Sequence, residues 1–262
     1  FCDFDEEEKH HKYSIESTVV HFESQGKYFN LIDAPGYPDY IGQTIGALRA
    51  ADTAAIVINA QSGIEVNTRR CFDEAGKAGV GRIIVINKMD AENIDFPALI
   101  DSIKEVFGNA CVPFNVPLGA GHDFRGVASC LDLSDDTSGA LLDPAEINEA
   151  LIESIVEVDE EAMEKYFEGI KPEAEERDRL IDKAVVDGTL VPIVCCSGKS
   201  GVGLDELLDA FAHCGLPPGI VKRTAKRNGD DVELKADSSD PLAAQVFKTR
   251  IDPFVQKISY IR

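Results

Sequence analysis

The sequence predicts an α/β fold: a doubly wound, mostly parallel sheet with an inserted α+β subdomain and further strands behind it. Three observations predict it. Short apolar runs at 27–33, 53–60 and 82–88 alternate with stretches of helical periodicity. The runs at 53–60 and 82–88 are nearly unbroken Ile, Val and Ala, as strands covered on both faces require. A fourth run, LVPIVCC at 190–196, comes only after the dissimilar stretch 111–187, so the sheet is expected to resume after an interruption.

In chain order, KYFNLID (27–33) reads as a strand, IGQTIGALRAAD (41–52) as a helix and TAAIVINA (53–60) as a second strand. EVNTRRCFDEAGKAG (65–79) is helical, RIIVINK (82–88) a third strand and FPALIDSIKEVFG (96–108) another helix. The interruption opens with β-like pieces, CVPFNVPLG and FRGVASCLDL, and then turns helical. There Asp143 is a candidate N-cap, with Pro144 at the first helical position and Glu146 three residues after the cap. After 190–196 comes the helix LDELLDAFAHCG (204–215). Residues 1–110 and 188–216 are thus one domain, and 111–187 is inserted in it. Residues 217–240, rich in proline, glycine and charge, read as linker. LAAQVFKTR and FVQKISYIR read as two strands joined by Ile251-Asp252-Pro253. A lone hairpin is marginal, so 241–262 is expected to begin another domain.

Composition bounds the function. With 262 residues and 44% hydrophobic content the chain can bury one large core or two ordinary ones. No stretch approaches the roughly 20 apolar residues that span a bilayer, and the acidic start FCDFDEEEKHHK is no secretory signal. A soluble, cytoplasmic protein with no membrane partner is expected. The seven cysteines show no CxxC or ligand spacing, which favours reduced thiols. The net charge of −21 opposes nucleic-acid phosphate over the surface as a whole, so no sequence-specific DNA binding is expected. The acid gathers at Glu6, Glu7 and Glu8 and within 146–176, either as a solvated helix face or as a docking face for a basic partner.

In an open α/β sheet, ligands bind beyond the carboxyl ends of the strands. Three of these ends carry unusual residues. Asp33 ends the first strand and opens DAPG, which is an ordinary turn or a D-x-x-G phosphate-sensing loop. In the second case the Asp33 carboxylate orients a magnesium-bound water, and Gly36 lets its backbone N–H approach a terminal phosphate. VINKMD ends the third strand with Asn87, Lys88 and Asp90. An aspartate there accepts from the ring N1–H and amine of guanine, a pattern adenine cannot reproduce. The lysine stem lies along the base and the asparagine braces neighbouring loops. CCSGKSG ends the last strand, where Ser197, Gly198 and Lys199 can supply a third base-contacting loop.

With these three boxes in place, the chain resembles a translational GTPase of the elongation factor G family. The likeness is carried by DAPGYPDY, VINKMDAENIDF, VPFNVPLGAGHDFRGV, DEEAMEKYFEG, LVPIVCCSGKSGVGLDELLDAF and the tail from Asp240 onward. The resemblance implies a P-loop-GTPase-type domain carrying the family's insertion, followed by the opening strands of a β-barrel. It implies GTP and GDP as ligands with Mg2+, and a ribosome partner, both rRNA and stalk proteins. Translocation follows from it as the task; a ribosome-associated switch or pseudo-GTPase paralogue, or a ribosome-protection or release relative, is the alternative.

Three departures accompany the likeness. No G-x-x-x-x-G-K-[ST] occurs: the GKS at 198–200 has Ile193 where the motif needs its first glycine. The native chain is therefore expected to be longer, and this fragment inactive by itself. Ser14 stands where the family has a magnesium-coordinating threonine, and keeps a hydroxyl for the metal. The adjacent His10 and His11 suggest either a metal site or two solvated side chains. Tyr37 stands where the family has a histidine that orients the attacking water; a phenol offers one hydrogen bond and no imidazolium charge, so slow or differently triggered hydrolysis is expected.

Overall fold

The computed structural model describes residues 2–3, 5–133, 136–252 and 254–262. In chain order the elements are α1 (Glu6–His11), β1 (Thr18–Ser24), β2 (Lys27–Asp33), α2 (Ile41–Ala50), β3 (Thr53–Asn59), α3 (Val66–Ala78), β4 (Gly81–Asn87) and α4 (Phe96–Phe107). Next come β5 (Cys111–Pro113), β6 (Asn115–Leu118), β7 (Gly126–Ser129), α5 (Pro144–Val156), α6 (Glu160–Phe167) and α7 (Ala174–Asp187). β8 (Val191–Cys195), α8 (Leu204–Cys214), β9 (Arg223–Arg227), β10 (Asp230–Leu234), β11 (Val246–Asp252) and β12 (Gln256–Ile261) complete the chain.

The centre is a four-stranded, all-parallel sheet of order β3-β4-β8-β5. Its two middle strands carry the apolar runs seen in the sequence. Ile83, Ile84 and Ile86 of β4 and Ile193, Val194 and Cys195 of β8 are wholly buried. Helix α3 packs on β3 and β4, α7 on β4 and α8 on β8, which covers the middle of the sheet. The fold is thus the α/β class expected, followed by antiparallel strands. Asp143 caps α5 as its spelling predicts, accepting the N–H of Ala145 at 2.9 Å with Pro144 in the first turn.

Four features differ from the expectation. First, β2 is not part of the parallel sheet: it pairs antiparallel with β1, a strand for which the sequence reading has no counterpart. The turn residues Gln25 and Gly26 both take positive φ, the geometry a tight two-residue hairpin needs, and Phe22 stacks across the strands on Phe29 at 5.2 Å. Second, the expected start of the insertion at 111 falls inside the sheet, because Cys111–Pro113 pairs with β8. Third, the expected linker holds the β9-β10 hairpin, turned by Asn228 and Gly229 at φ 56 and 100. Fourth, the acidic start forms α1, capped by Asp5 with Glu8 reaching back to the Asp5 N–H. Glu8 is buried and also accepts the N–H groups of Ile15 and Glu16, so this acid organises backbone.

β11 and β12 form the antiparallel pair expected at the end of the chain; Pro253, in their expected connection, lies outside the described residues. This hairpin contacts α2. Arg262 bonds the Asp52 carboxylate at 2.8 and 2.7 Å and the Ala50 carbonyl at 2.7 Å, and Arg223 reaches Asp52 at 3.0 Å.

The seven cysteines are free thiols. Burial raises Cys111 and Cys196 to about 11 and Cys130 to about 12, so these behave as small apolar side chains.

Ile84 sits in a middle strand with neighbours on both sides and no exposure. Ile84→Ala is expected to lower the unfolding free energy by about 3 kcal/mol, the usual range for emptying such a site. Urea denaturation followed by circular dichroism checks it: an unchanged midpoint contradicts this core assignment.

Candidate functional site

β4 and β8 run parallel and adjacent, so their carboxyl ends deliver two loops to one place. Asn87 is the last residue of β4, and its side-chain oxygen accepts the N–H of Lys88 at 2.7 Å and that of Gly198 at 2.9 Å. One amide thus braces the loop after β4 against the loop after β8. Lys88 takes φ +67, which is uncommon for a residue with a side chain, and the Asn87 bond holds it there. The next residue, Met89, is fully buried, and its N–H donates to the Cys196 carbonyl at 3.2 Å. Lys88 and Asp90 therefore flank an anchored residue.

The Asp90 carboxylate accepts the Ser197 hydroxyl at 2.6 Å, and Lys199 Nζ lies 3.8 Å from its other oxygen. Ser197 is wholly buried and also accepts the Ser200 N–H at 3.1 Å, so its hydroxyl is used in both directions. The Asp90 carboxyl is held below the ordinary carboxylate range, first by the Ser197 bond and further by the Asp90 backbone N–H and Lys199, against a smaller opposing effect of burial. The loop turns back through Gly203, whose φ is +80; a Cβ there would lie 2.8 Å from the Cys195 carbonyl oxygen, so only glycine fits.

Together these residues enclose a cavity of about 500 Å³, lined by Asn87, Lys88, Asp90, Gly198 and Lys199. Ala91, Glu92 and His122 line it too, and the sequence reading singles out none of them. His122 arrives on the turn 121–123 from the inserted region, fastened by the Gly121 N–H to the Met89 carbonyl at 2.9 Å. The sequence carries no local signal for this, since the approach is made across the fold by GAGHDF, whose Gly119 and Gly121 both take positive φ.

The remaining candidates form a second group. Asp33 ends β2, and the Cys2 thiol is pushed up by burial and by its bond to the Asp33 carboxylate. The Gly36 carbonyl accepts from Asn67 Nδ2 at 2.7 Å, which ties the DAPG loop to α3. The Ser14 hydroxyl donates to Asp3 at 2.7 Å. Tyr37 is half exposed and its ring lies 4.4 Å from that of Tyr13. None of Ser14, Asp33, Gly36 and Tyr37 lines the cavity. His10 and His11 stack edge to face, and His11 pairs with Glu7 at 3.4 Å. Among the described residues no group of three or more His, Cys, Asp and Glu side chains comes together to hold a metal. Nor, among them, is any helix long and apolar enough to cross a membrane.

An all-parallel sheet with helices packed on it and a cavity across the carboxyl ends of its middle strands defines the class: a doubly wound, ligand-binding α/β domain. The family described as the elongation factor Tu GTP binding domain matches residues 1–216. The chain belongs to this family of translational GTPases. It is 32% identical to elongation factor G of Thermotoga maritima over 98% of its own length and 40% of that protein's. It is 30% identical to the elongation factor G-like protein of the same organism, over all of this chain and 40% of the relative. A crystal structure of a Thermus thermophilus protein superposes with a TM-score of 0.84 at 28% identity, covering all of this chain and 39% of that one. The chain spans about two fifths of the length of the curated relatives it matches.

The bond from Ser197 is the first cause of the lowered Asp90 pKa, which gives a direct check. The stability that ionised Asp90 lends is complete above the ordinary carboxylate pKa and is lost as pH falls through its lowered folded value. In Ser197→Ala the Asp90 midpoint, followed by carboxyl carbon NMR, is expected to rise toward the ordinary value. An unmoved midpoint contradicts the hydrogen bond as cause.

Proposed function

We propose that the chain is the guanine-nucleotide-binding part of an elongation-factor-G-like translational GTPase, which hydrolyses GTP on the ribosome to support translocation in the cytoplasm. The observation that carries this reading is Asp90: an ionised carboxylate lining the cavity at the carboxyl ends of β4 and β8, with Lys88 and Lys199 beside it. There it accepts guanine N1–H and one amine hydrogen. The Lys88 stem lies along the base, Asn87 holds the two loops in register, and Ser197, Gly198 and Lys199 form the third wall.

For the phosphates, Gly36 offers its backbone N–H, and the DAPG loop reports whether a γ-phosphate is present. Asp33, through water, and Ser14 are the residues that would hold magnesium; a carboxylate and a hydroxyl are the hard oxygen donors it takes. Bound there, the ion would neutralise charge on the phosphates. Hydrolysis needs little other chemistry from the protein than placing a water in line. Tyr37 is the residue for that task, with a hydroxyl that gives or takes one hydrogen bond.

Residues 1–113 and 188–216 are the GTPase domain in this reading, 114–187 its insertion and 241–262 the first strands of a β-barrel. The acidic insertion is the part that meets the ribosomal stalk, and rRNA contacts are local or lie on other parts of the protein, since a net charge of −21 opposes them. A second reading, a ribosome-bound switch with weak turnover, is favoured by Tyr37 itself, whose ring is packed on Tyr13.

Two measurements test these readings. In the full-length protein, ribosomes are expected to raise the GTP hydrolysis rate well above the free rate; no stimulation rejects the enzyme and leaves the switch. Asp90→Asn is expected to weaken GDP binding by about 100-fold and shift preference toward xanthine nucleotides, because the exchanged amide turns one acceptor into a donor. Unchanged guanine selectivity rejects Asp90 as the base reader.

A further inference from the structure

We infer that Glu92 is a specificity-determining residue for the 2-amino group of guanine, and that His122, carried by the inserted region, is its positioning residue. The inference rests on the reading of the 500 Å³ cavity as the base site. Glu92 lies two residues past Asp90 on the same loop and lines the same cavity. Two contacts reach Glu92, one on its backbone and one on its side chain. The Glu92 carbonyl accepts from Gln61 Nε2 at 3.2 Å, and one carboxylate oxygen, Oε1, lies 3.1 Å from His122 Nε2. The turn that brings His122 comes close because residue 121 has no side chain: a Cβ there would sit 3.3 Å from the Ala91 carbonyl oxygen and 3.4 Å from Glu92 Oε1. Among the described residues, no donor is placed on the second Glu92 oxygen, Oε2.

The chemistry of the base supplies the rest. Guanine presents three hydrogens on this edge, one at N1 and two on the 2-amine. Asp90 has two oxygens, and one of them already accepts the Ser197 hydroxyl at 2.6 Å. It can take N1–H and one amine hydrogen, which leaves the second amine hydrogen without a partner once the base covers the loop. Glu92 Oε2 provides that acceptor, and the bond is charge-assisted. Inosine has no 2-amine and gains nothing from it. Xanthine places a carbonyl oxygen there, which a second carboxylate repels. The Glu92 side chain is 59% exposed without ligand, so part of the gain is offset by lost hydration and the expected preference is modest.

Isotope-labelled full-length protein titrated with GDP and with inosine diphosphate, read by amide NMR shifts, tests this. GDP is expected to move the amides of Asn87, Asp90, Glu92 and Gly198 and to bind more tightly than inosine diphosphate. Glu92→Ala is expected to reduce the GDP-over-inosine preference about fivefold while leaving inosine diphosphate affinity unchanged. Glu92→Gln, which keeps a neutral acceptor, retains part of the preference. His122→Ala reduces it, and His122→Asn, which keeps a donor, restores it. An equal preference in wild type and Glu92→Ala, or equal weakening of both nucleotides, overturns the role of Glu92 while GDP-induced shifts at Asp90 keep the base site standing. Should GDP leave the amides of Asn87, Asp90 and Gly198 unmoved, the base site fails, and the Glu92 inference with it.

Discussion

Everything the cavity can do depends on the Asn87 side chain. Its oxygen takes two backbone N–H groups, one from the next residue and one from a residue 111 positions further on, and each would otherwise be an unpaired donor at a strand end. The bond to Gly198 fixes the spacing between the loops, and that spacing lets the Ser197 hydroxyl reach Asp90. The bond to Lys88 stabilises a left-handed backbone that turns its side chain away from Met89, the anchor in the core. A buried amide near the same strand end does similar work: Asn115 accepts the Cys195 N–H at 2.7 Å, where β8 leaves the sheet. The site is therefore built from polar brackets around the ends of two apolar strands, with the sheet setting position and the amides setting register.

The electrostatics follow from that geometry. A chain with a net charge of −21 is a poor place to collect a nucleotide by its overall field. What it has instead is local: Lys88 and Lys199 at the cavity, and a carboxylate whose ionised form is favoured by a neutral hydroxyl. Hydrogen bonding from Ser197 lowers the Asp90 pKa without a full positive charge that would compete with the base for the carboxylate. Lys199, at 3.8 Å and largely exposed, contributes less and is free to move. In the proposed reading base recognition is short-ranged, and affinity for a nucleotide must come largely from contacts to phosphate.

The parallel strands are legible in the sequence as nearly unbroken apolar runs, and β3, β4 and β8 stand within a residue or two of them. Burial on both faces explains the runs of β4 and β8, whereas the edge strand β3 leaves Ala55 and Val57 exposed. NKMD and SGKSG are legible by spelling and by their place at strand ends, and the structure does bring Asn87, Lys88, Asp90, Gly198 and Lys199 to one cavity. The β9-β10 hairpin is hidden because its strands are polar and exposed, so only the Asn-Gly turn marks it. β1 is hidden because TVVHFES has only Val19, Val20 and Phe22 as apolar residues against four in the run at 27–33, although both strands are only partly buried. Glu92 and His122 are illegible for a deeper reason. Their meeting is a tertiary event between a loop and an inserted turn, and no periodicity or motif encodes it.

The DAPG loop is coupled to more than its own turn. It leads directly into α2, and α2 ends where Arg223 and Arg262 converge on Asp52 and on the carbonyls of Arg49, Ala50 and Ala51. These carbonyls are the unpaired groups at a helix C-terminus, where cations are favoured. Both guanidinium groups belong to segments beyond the α/β domain, and Lys248 of β11 adds a bond to the Ser17 carbonyl and a 3.1 Å pair with Glu16. A displacement of α2 as a rigid body must carry the β11-β12 hairpin with it or break charge-assisted bonds made by partly buried side chains. The same holds in reverse: a load on the hairpin reaches Asp33 and Gly36 through one ten-residue helix. Between the DAPG loop and α2 lie only Tyr37 and the short turn at Pro38–Tyr40, so the loop and the C-terminal strands are attached to the two ends of one helix.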